Sequence, residues 1–537
     1  MDEKSNICLK SELDLFSTLP TQLAIDSSSF VQIHPVASLS DTAPIEFYIN
    51  GNGEHYLDLA HSILHLQIKI LKKNNNSALG DNDNVAPINY ILNTMFSEFS
   101  VFLNDKQVAS QSNYSYRSFF ESLLFSSKSS QDSLLSAALF RKDTAAEHDN
   151  VIAASTNEGF KARKTIFKNS KIVDLIGILH YDLAAQPKLL INGVNVRIKL
   201  ERQKDSFSLL SNTDNYKIGL ISASLFIRKI NVAPSIVLAQ EKALERGLVK
   251  IPIRRAEVRS FALSSGIQSS TIANAFIGQL PTRLILGFVS NEAYNGNFSK
   301  NPFNFRHYNL NYLSILEGSK MIPSKPFKPN FANNLYARSY LSLFTDLNRF
   351  HNSQNINISY EEYPKGYTLY AIDLTPDMAA GETHMSINRT GNIAIDIKFD
   401  APLTETKFFC GLRFCGPDPT MNNDRKRMIE FTDNDVDDFL ISTKKPKRST
   451  EKPKYNLDLS ASDGVGEKQI APFSIHLGKG VIMEIKEFRG NYYVGLSKTN
   501  DSGTEVKNRF NIPLIQLETL RKGCEAMIKY VKECDGK

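Results

Sequence analysis

The feature that most constrains this chain is an alternation of apolar and polar residues that recurs from about residue 45 to residue 412. Between Leu64 and Ile70, for example, apolar residues alternate with His65, Gln67 and Lys69. Because successive side chains of a β-strand point to opposite faces of a sheet, this period of two is typical of a half-buried strand. The pattern predicts strands at residues 45–49, 64–70, 194–200, 221–227, 283–289, 367–373 and 392–399.

Turn-forming residues separate these strands, as at 50–53, 192–193 and 295–296. Helices do not alternate regularly with the strands, which favours packed β-sandwiches over a doubly wound α/β sheet. One clear helix is predicted around residues 234–246, with Pro234 in its first turn, where proline is favoured. It divides the β-rich region into halves of similar length. The residues alone therefore predict two sandwiches joined by a helix.

The composition limits the class of protein. With 42% hydrophobic and 22% charged residues, the 537-residue chain is typical of folded globular proteins. No apolar run approaches the roughly 18 residues that a membrane span requires, so none is expected. The start Met1-Asp2-Glu3-Lys4 lacks the pattern of a secretory signal. Five cysteines are too few and too scattered for a disulfide scaffold, which favours a reducing compartment.

The net charge of +6 is concentrated at one end of the chain. Residues 443–537 contain 18 Lys/Arg and 12 Asp/Glu, whereas the remaining 45 basic and 45 acidic residues of 1–442 cancel. A polyanionic partner is therefore expected at the C-terminal end.

A polar and charged stretch, residues 416–467, precedes this last region and is typical of a flexible linker. It contains a basic run that fits a nuclear-import signal. The same run fits a charged segment that is simply solvated. Its basic residues are Lys444, Lys445, Lys447 and Arg448.

Beyond the linker, strands are predicted at 481–486, 492–496 and 510–512. Apolar residues near helical spacing predict a helix from about residue 513. This order of elements indicates a small α+β domain.

Two loops, 74–84 and 291–300, are expected at the surface. The aromatic-rich segment 301–331 follows, and its Phe and Tyr residues fit either a packed core or a contact between subunits. The core is favoured, because most aromatic residues of a sandwich pack inside it.

A set of peptides in the β-rich region is shared with a known family: 53–59 (GEHYLDL), 188–194 (KLLINGV), 228–230 (RKI), 234–236 (PSI), 241–244 (EKAL), 301–305 (NPFNF) and 373–377 (DLTPD). In this order they resemble the major capsid (hexon-like) proteins of Polinton/Maverick elements and the related adintoviruses. The resemblance covers about residues 15–412.

This resemblance implies two jelly rolls side by side, with three copies forming a pseudo-hexagonal capsomer of an icosahedral shell. It implies a structural protein that needs no cofactor. The implied partners are further copies of the chain and other capsid proteins such as a penton. The implied location is the virion capsid, with the host nucleus during assembly.

The C-terminal region resembles a second family through residues 486–491 (KEFRGN), 493–496 (YVGL) and 516–521 (QLETLR). These peptides are similar to the DNA-binding domain of the transcriptional positive-cofactor-four family, in which a curved antiparallel sheet and a terminal helix dimerise to hold single-stranded DNA. Residues that differ from the family's are Ser497, Arg509 and Leu517.

By position, the second resemblance implies DNA contacts at Lys486, Phe488 and Arg489, with Lys507 a weaker candidate. The residue types suit this role, because cations neutralise phosphates and an aromatic face stacks on a base. The alternative is a small β-plus-helix domain that has Phe488 in its core and its cations in solvent.

No catalytic or metal site is predicted. Residues 464–468 lack the Gly-Lys-Ser/Thr ending of a phosphate-binding loop, and residues 433–438 lack the Gly and the closing Glu of a calcium loop. Two histidines and two cysteines are interpreted as ordinary sheet histidines and partly buried thiols: His61, His65, Cys410 and Cys415.

The sequence therefore predicts a mainly β structural capsid protein with a DNA-binding C-terminal module. Its segments are an N-terminal arm (1–29), a first jelly roll (30–233), a connecting helix (234–247), a second jelly roll (248–415), the linker (416–467) and the DNA-binding domain (468–537). The alternative is a nuclear DNA-binding regulator derived from a captured capsid gene. A third hypothesis, a carbohydrate-binding β-sandwich, leaves the ordered capsid-like peptides unexplained.

Overall fold

In the computed structural model the chain divides into two compact units, Met1–Ile441 and Ser442–Lys537. The described part of the second unit consists of strands between Ser474 and Pro513. In the first unit the structure describes residues 21–40, 43–51, 53–245, 247, 249, 251, 253–378, 380 and 386–415.

The first half of the larger unit contains the strands β1 (Ile25–Ile33), β2 (Ile45–Ile49), β3 (His55–Lys72), β4 (Val85–Pro87), β5 (Phe96–Leu103), β6 (Lys106–Ser112), β7 (Val173–Ile178), β8 (Val196–Arg202), β9 (Leu209–Ser211) and β10 (Tyr216–Val232). Two four-stranded antiparallel sheets, β1-β10-β3-β7 and β2-β8-β5-β6, face each other. Leu64 and Leu66 of β3 share one core with Phe99 and Val101 of β5.

The second half contains β11 (Arg255–Leu263), β12 (Ser269–Gln279), β13 (Arg283–Ser290), β14 (Leu310–Glu317), β15 (Lys320–Phe327), β16 (Leu369–Asp373), β17 (Thr390–Phe399) and β18 (Lys407–Cys415). They form two antiparallel sheets. We call β11-β18-β13-β16 the inner sheet and β12-β17-β14-β15 the outer sheet.

The strand order is the same in both halves once the short pair β4 and β9 is set aside. In each half, one sheet has the order first, eighth, third, sixth, and the other has the order second, seventh, fourth, fifth. Eight strands in two sheets connected in this way form a jelly roll. The predicted fold class, two jelly rolls side by side, is confirmed.

Helices lie between the strands of both jelly rolls: α1 (Ile91–Thr94), α2 (Tyr114–Phe125), α3 (Lys128–Asp132), α4 (Glu158–Ile166), α5 (Asp205–Ser208), α6 (Pro234–Leu244), α7 (Asn291–Asn295) and α8 (Ala337–Thr345). A helix was predicted around residues 234–246, and the structure has α6 there, with Pro234 at its start and the last strand of the first jelly roll before it.

Each of the seven segments predicted from alternation overlaps a strand, but two boundaries differ in an instructive way. β10 is longer than predicted because its register shifts between Leu220 and Ser222 and again between Phe226 and Arg228, and each shift interrupts the alternation. β1 begins at Ile25, inside the segment assigned to the N-terminal arm, because its pairing with β10 extends to Val232, the last residue of that strand.

The second unit contains β19 (Ser474–Gly478), β20 (Val481–Phe488), β21 (Asn491–Thr499) and β22 (Val506–Pro513). They pair antiparallel in chain order. The three strands predicted here are confirmed, and β19 precedes them. The helix predicted from about residue 513 lies outside the described residues.

Candidate assembly scaffold and DNA interface

The inner sheet belongs to the cores of both jelly rolls. Every residue of β13 except Ser290 is buried. Ile285 and Val289 pack into the core of the first half, whereas Leu284 and Leu286 pack into the core of the second half. One face of the inner sheet carries Ile285 and Val289. We call the contact between this face and the first-half core the junction. Because its strands serve two cores at once, the junction joins the sandwiches through continuous apolar packing.

Aromatic side chains extend the junction beyond the inner sheet. Phe303 stacks on Phe119 of α2, with ring centroids 4.0 Å apart and an interplanar angle of 3°. The ring of Phe305 stacks on that of Phe120 with centroids 5.0 Å apart and an interplanar angle of 30°. Such pairs contribute about 0.5–1.5 kcal/mol each beyond the burial of their area. These contacts therefore favour one relative position of the two halves.

The aromatic residues around the junction are largely buried. The aromatic residues of 301–331 were predicted to be core, and the burial of Phe303, Phe305 and Phe327 confirms this. The prediction of a surface loop at 291–300 is wrong for Tyr294. Its ring stacks on Phe408 at 4.0 Å, because the short helix α7 turns it toward the junction.

A buried carboxylate, that of Asp182, ties the halves together by polar contacts. Its Oδ1 accepts hydrogen bonds from Arg117 Nη1 at 2.7 Å, from Gln111 Nε2 at 3.2 Å and from the backbone N–H of Ala256 in the second half at 3.2 Å. Its Oδ2 lies 3.8 Å from Nη1 of Arg255. A buried charge with this many donors is compensated, and it fixes the position of β11 against the first half.

A second buried carboxylate, that of Asp143, has the same role. Its Oδ1 accepts from Arg163 Nη2 at 2.6 Å, and its Oδ2 accepts from Asn301 Nδ2 of the second half at 3.0 Å. The hydroxyl of Tyr367 donates to the backbone carbonyl of Asp143 at 2.6 Å. Two independent polar networks therefore cross the junction.

One further side chain, His148, is enclosed at this point. Its ring lies 4.7 Å from that of Tyr367. A Cβ on Gly366, whose φ is +101°, would come within 2.4 Å of the imidazole Cε1. Burial lowers the pKa of His148, with Asp143 and Asp149 opposing this effect and Arg163 and Lys142 adding to it. The ring is therefore neutral near pH 7.

The shared core and the two polar networks of the junction are suited to holding the two halves in one rigid shape. Within the described ranges, no three His, Cys, Asp or Glu side chains are grouped so that they could hold a metal ion. Every helix in the described part of the chain is too short or too polar to cross a membrane.

The histidines and cysteines of β3 and β18 behave largely as interpreted. His61 Nδ1 lies 2.7 Å from Asp58 Oδ2, and His65 Nε2 lies 2.7 Å from Asp174 Oδ1, so both are ordinary sheet histidines with local partners. Cys410 is fully buried rather than partly buried, because it faces the junction, and burial raises the pKa of its thiol.

The predicted DNA-binding residues fall into two groups. Lys486 and Phe488 are two apart on β20, and this spacing assigns both positions to one face of the sheet. Lys507 lies on β22 at the register shift beside Lys498, which pairs with Val481 at the far end of β20. At about 3.4 Å per residue, the levels of Lys486 and Lys507 are separated by roughly 17 Å along the strands.

The remaining predicted positions lie outside the described residues. They are Arg489, the import candidates Lys444, Lys445, Lys447 and Arg448, and the segments 433–438 and 464–468.

The contacts that join the two halves at the junction could not be predicted from the sequence. Phe119 and Phe303 are separated by 184 positions, and Asp182 and Ala256 by 74, so no local pattern connects them. The peptide 301–305 was a usable signal, because two aromatic residues follow Asn-Pro there without strand alternation.

Comparisons with known proteins agree with this architecture. No protein-family model matches the chain. An uncharacterised protein of Caenorhabditis elegans is 26% identical over 403 residues, which is 73% of this chain and 94% of that protein. A chain of the Sputnik virophage, solved by cryo-EM, superposes with a TM-score of 0.50 at 11% identity and covers 76% of this chain and 90% of its own. The Faustovirus major capsid protein superposes with the same TM-score at 8% identity, over 75% and 91% of the two chains. The likeness to both solved structures extends across the two jelly rolls and shows that this chain shares their fold.

Proposed function

We propose that this chain is the structural major capsid protein of a Polinton/Maverick-like element. Three copies would form a pseudo-hexagonal capsomer, and capsomers would tile an icosahedral shell with other capsid proteins, such as a penton, at the remaining positions. The observation that carries the proposal is the junction. Its shared sheet, stacked aromatic residues and two buried ionic networks give the chain the single rigid shape that a repeating shell requires.

The charge distribution supports the proposal. The formal charges of residues 1–442 cancel, so identical copies can pack without long-range repulsion. The likeness to the Faustovirus major capsid protein across both jelly rolls supports it as well.

Electron microscopy and light scattering of the purified full-length protein test this function. The expected result is a particle with about three times the 60.3 kDa mass of one chain, or closed shells. A stable monomer that never assembles would overturn the proposal. A dimer would favour the second candidate, a nuclear DNA-binding regulator derived from a captured capsid gene. The basic C-terminal region supports this candidate.

We further propose that the second unit binds single-stranded DNA, and that its target in a particle is the packaged genome. The excess of positive charge in residues 443–537 supports this role, and so does the placement of Lys486 and Phe488 on one face of a four-stranded sheet. Localisation would follow, with the mature protein in the capsid and the basic run at 444–448 directing import into the host nucleus.

Salt-titrated binding of the full-length protein to a single-stranded oligonucleotide tests the DNA role. Replacing Lys486 by Ala is expected to weaken binding and to reduce the salt slope by about one unit or slightly less. Lys498→Ala is the matched control: its register opposite Val481 places it on the other face of the same sheet, so binding is expected to persist. Equal losses in both variants, or binding that is indifferent to salt, would contradict the assignment.

A further inference from the structure

An apolar groove of about 600 Å³ lies beside α6. Its walls are α6 itself, the start of β1, the end of β10 and residues from the segments 188–191 and 247–251. The apolar residues that line it include Ile25, Ile191, Ile236, Leu244, Val249 and Ile251. Among the polar side chains of the lining, the hydroxyl of Tyr56 donates to Gln240 Oε1 at 2.6 Å, so these two are paired with each other. The groove therefore offers a binding partner mainly apolar surface.

The side of α6 that faces the groove lacks a cover. Ile236, Ala243 and Leu244 recur at positions i, i+7 and i+8, which is the spacing of one helical face, yet none of the eleven residues of α6 is buried. By contrast, α2 buries ten of its twelve residues. Next to the groove wall, Leu23 is 78% exposed. An open apolar groove of this kind is typical of a binding site for an apolar partner.

The chain itself supplies an apolar segment beside the groove. Residues 1–20 lie outside the described residues, and the described part begins at Thr21, three positions before Ala24 of the groove wall. Seven of the thirteen residues 7–19 are apolar, a higher fraction than the 42% of the whole chain. Leu9, Leu13 and Phe16 follow one another at intervals of four and three positions, the spacing of an apolar stripe that packs on a surface. This segment therefore has the chemistry that the groove requires.

The length of the connection allows the segment to reach the groove of its own chain. With eleven residues at 1.5 Å each, α6 is about 16 Å long. Ala24 follows Phe16 by eight positions, and eight residues can span about 26 Å. Phe16 can therefore reach any point along α6. A short tether gives an effective concentration on the order of millimolar, so weak apolar contacts suffice to hold the segment in place.

We propose that residues 7–19 bind in the groove of the same chain, with Leu9, Leu13 and Phe16 against the apolar side of α6. Binding would bury this side of α6 and would connect the start of the chain to the helix that follows the first jelly roll. The same segment of a neighbouring copy has equal chemistry but lacks the short tether, and for this reason the chain's own segment is favoured. The proposal is independent of the capsid role and of the DNA role of the second unit.

Thiol labelling of the full-length protein tests the binding. Ala243→Cys places a thiol in the groove, and mass spectrometry of the peptide that contains it measures its rate of reaction with iodoacetamide. Adding Leu13→Ser and Phe16→Ser is expected to raise this rate at least fivefold, because the segment then leaves the groove. Asp14→Ser, a polar change in the same segment, is the matched control and should leave the rate unchanged. A thiol placed by Lys242→Cys, on a different face of α6, should react equally fast with and without the segment substitutions.

Equal rates for the groove thiol with and without Leu13→Ser and Phe16→Ser would overturn the proposal, whether a small apolar ligand or nothing occupies the groove. Co-expression of the variant carrying Ala243→Cys, Leu13→Ser and Phe16→Ser with an excess of wild-type protein identifies the source of the segment. Its thiol should stay rapidly labelled, because its own segment is altered. Slow labelling in the mixture would show that neighbouring copies supply the segment, and it would reject binding within one chain. Neither result bears on the capsid role, which the particle mass tests separately.

Discussion

The two sheets of the second jelly roll have the same antiparallel construction but differ in what covers them. The outer sheet has one wet face: in β12, Ile277 is 61% exposed while its neighbour Phe276 is buried. In the inner sheet, by contrast, β13 and β16 are buried at almost every position. The difference arises because the core of the first jelly roll covers one face of the inner sheet, while the core of the second jelly roll covers the other.

This comparison assigns different tasks to the two sheets. Substitutions in the inner sheet or at its aromatic border should affect the union of the two halves, whereas equivalent changes on the outward faces should affect only their own surroundings. Because the chain contains no Trp and 20 Tyr, urea unfolding followed by tyrosine fluorescence and circular dichroism can measure the free energy of unfolding in each case.

The largest effect is expected for Phe303→Ala at the junction. It removes a ring stacked on Phe119 and leaves a cavity, so the free energy of unfolding should fall by about 3–5 kcal/mol. The control is Ile277→Ala on the outward face, where a change within about 0.5 kcal/mol is expected. Similar losses in the two variants would show that the comparison is wrong.

A slightly smaller loss, about 3 kcal/mol, is expected for Asp182→Ala, because it removes one of the two carboxylates, Asp182 and Glu121, that pair with the buried Arg117. Asp174→Ala is the control. It removes a carboxylate that is 65% exposed and bonded to His65, and it should cost less than about 1 kcal/mol in urea unfolding. A junction held by packing alone would give equal values for the two aspartates.

Glycine-to-alanine substitutions compare the two sheets directly. At Gly287 of the inner sheet, a Cβ would lie 2.7 Å from Leu369 Cδ2 and 2.9 Å from Phe305 Cδ1, so overpacking should cost about 2 kcal/mol. At Gly391 of the outer sheet, the nearest atoms are those of Leu280 at 3.4 Å, an ordinary contact. There alanine should be neutral or stabilising by up to about 1 kcal/mol, and unfolding of both variants in urea decides between these expectations.

Counted per histidine and per pH unit, the smallest effect is expected from a change in pH. Burial lowers the pKa of His148 and lowers that of His307 to about 4, so the folded chain binds fewer protons than the unfolded chain below pH 6.5. Stability should therefore fall as the pH drops from 6.5 toward 4, by at most about 1.4 kcal/mol per pH unit for each histidine. Unfolding midpoints measured at pH 7, 6 and 5 test this. The His148→Gln variant should show a shallower decline, and an identical decline would mean that His148 does not contribute.

The sequence was most informative where a strand faces water on one side. Residues 64–70 and 392–399 alternate, and both lie in strands of the sandwiches. The segment 283–289 was also predicted as a strand, but its continuous apolar run 284–289 was not used to infer burial on both faces. That run was the available signal for the inner sheet.

What the sequence could not supply is the partner of each contact. The stacking of Phe119 on Phe303 and the bond from Ala256 to Asp182 depend on strand order across the whole unit, and no local periodicity carries that information. The second polar network across the junction was missed for the same reason, since Asp143 and Asn301 lie 158 positions apart.

The double coverage of the inner sheet also limits how this chain can evolve. Leu284 must fit the core of the second half, whereas its neighbour Ile285 must fit the core of the first half. A substitution that one core tolerates therefore does not relax the packing constraint that the other core imposes. Drift should therefore accumulate in the outer sheet and the loops while the inner sheet stays nearly fixed. Among distant relatives, β13 and β18 should be the last segments in which common ancestry can still be read.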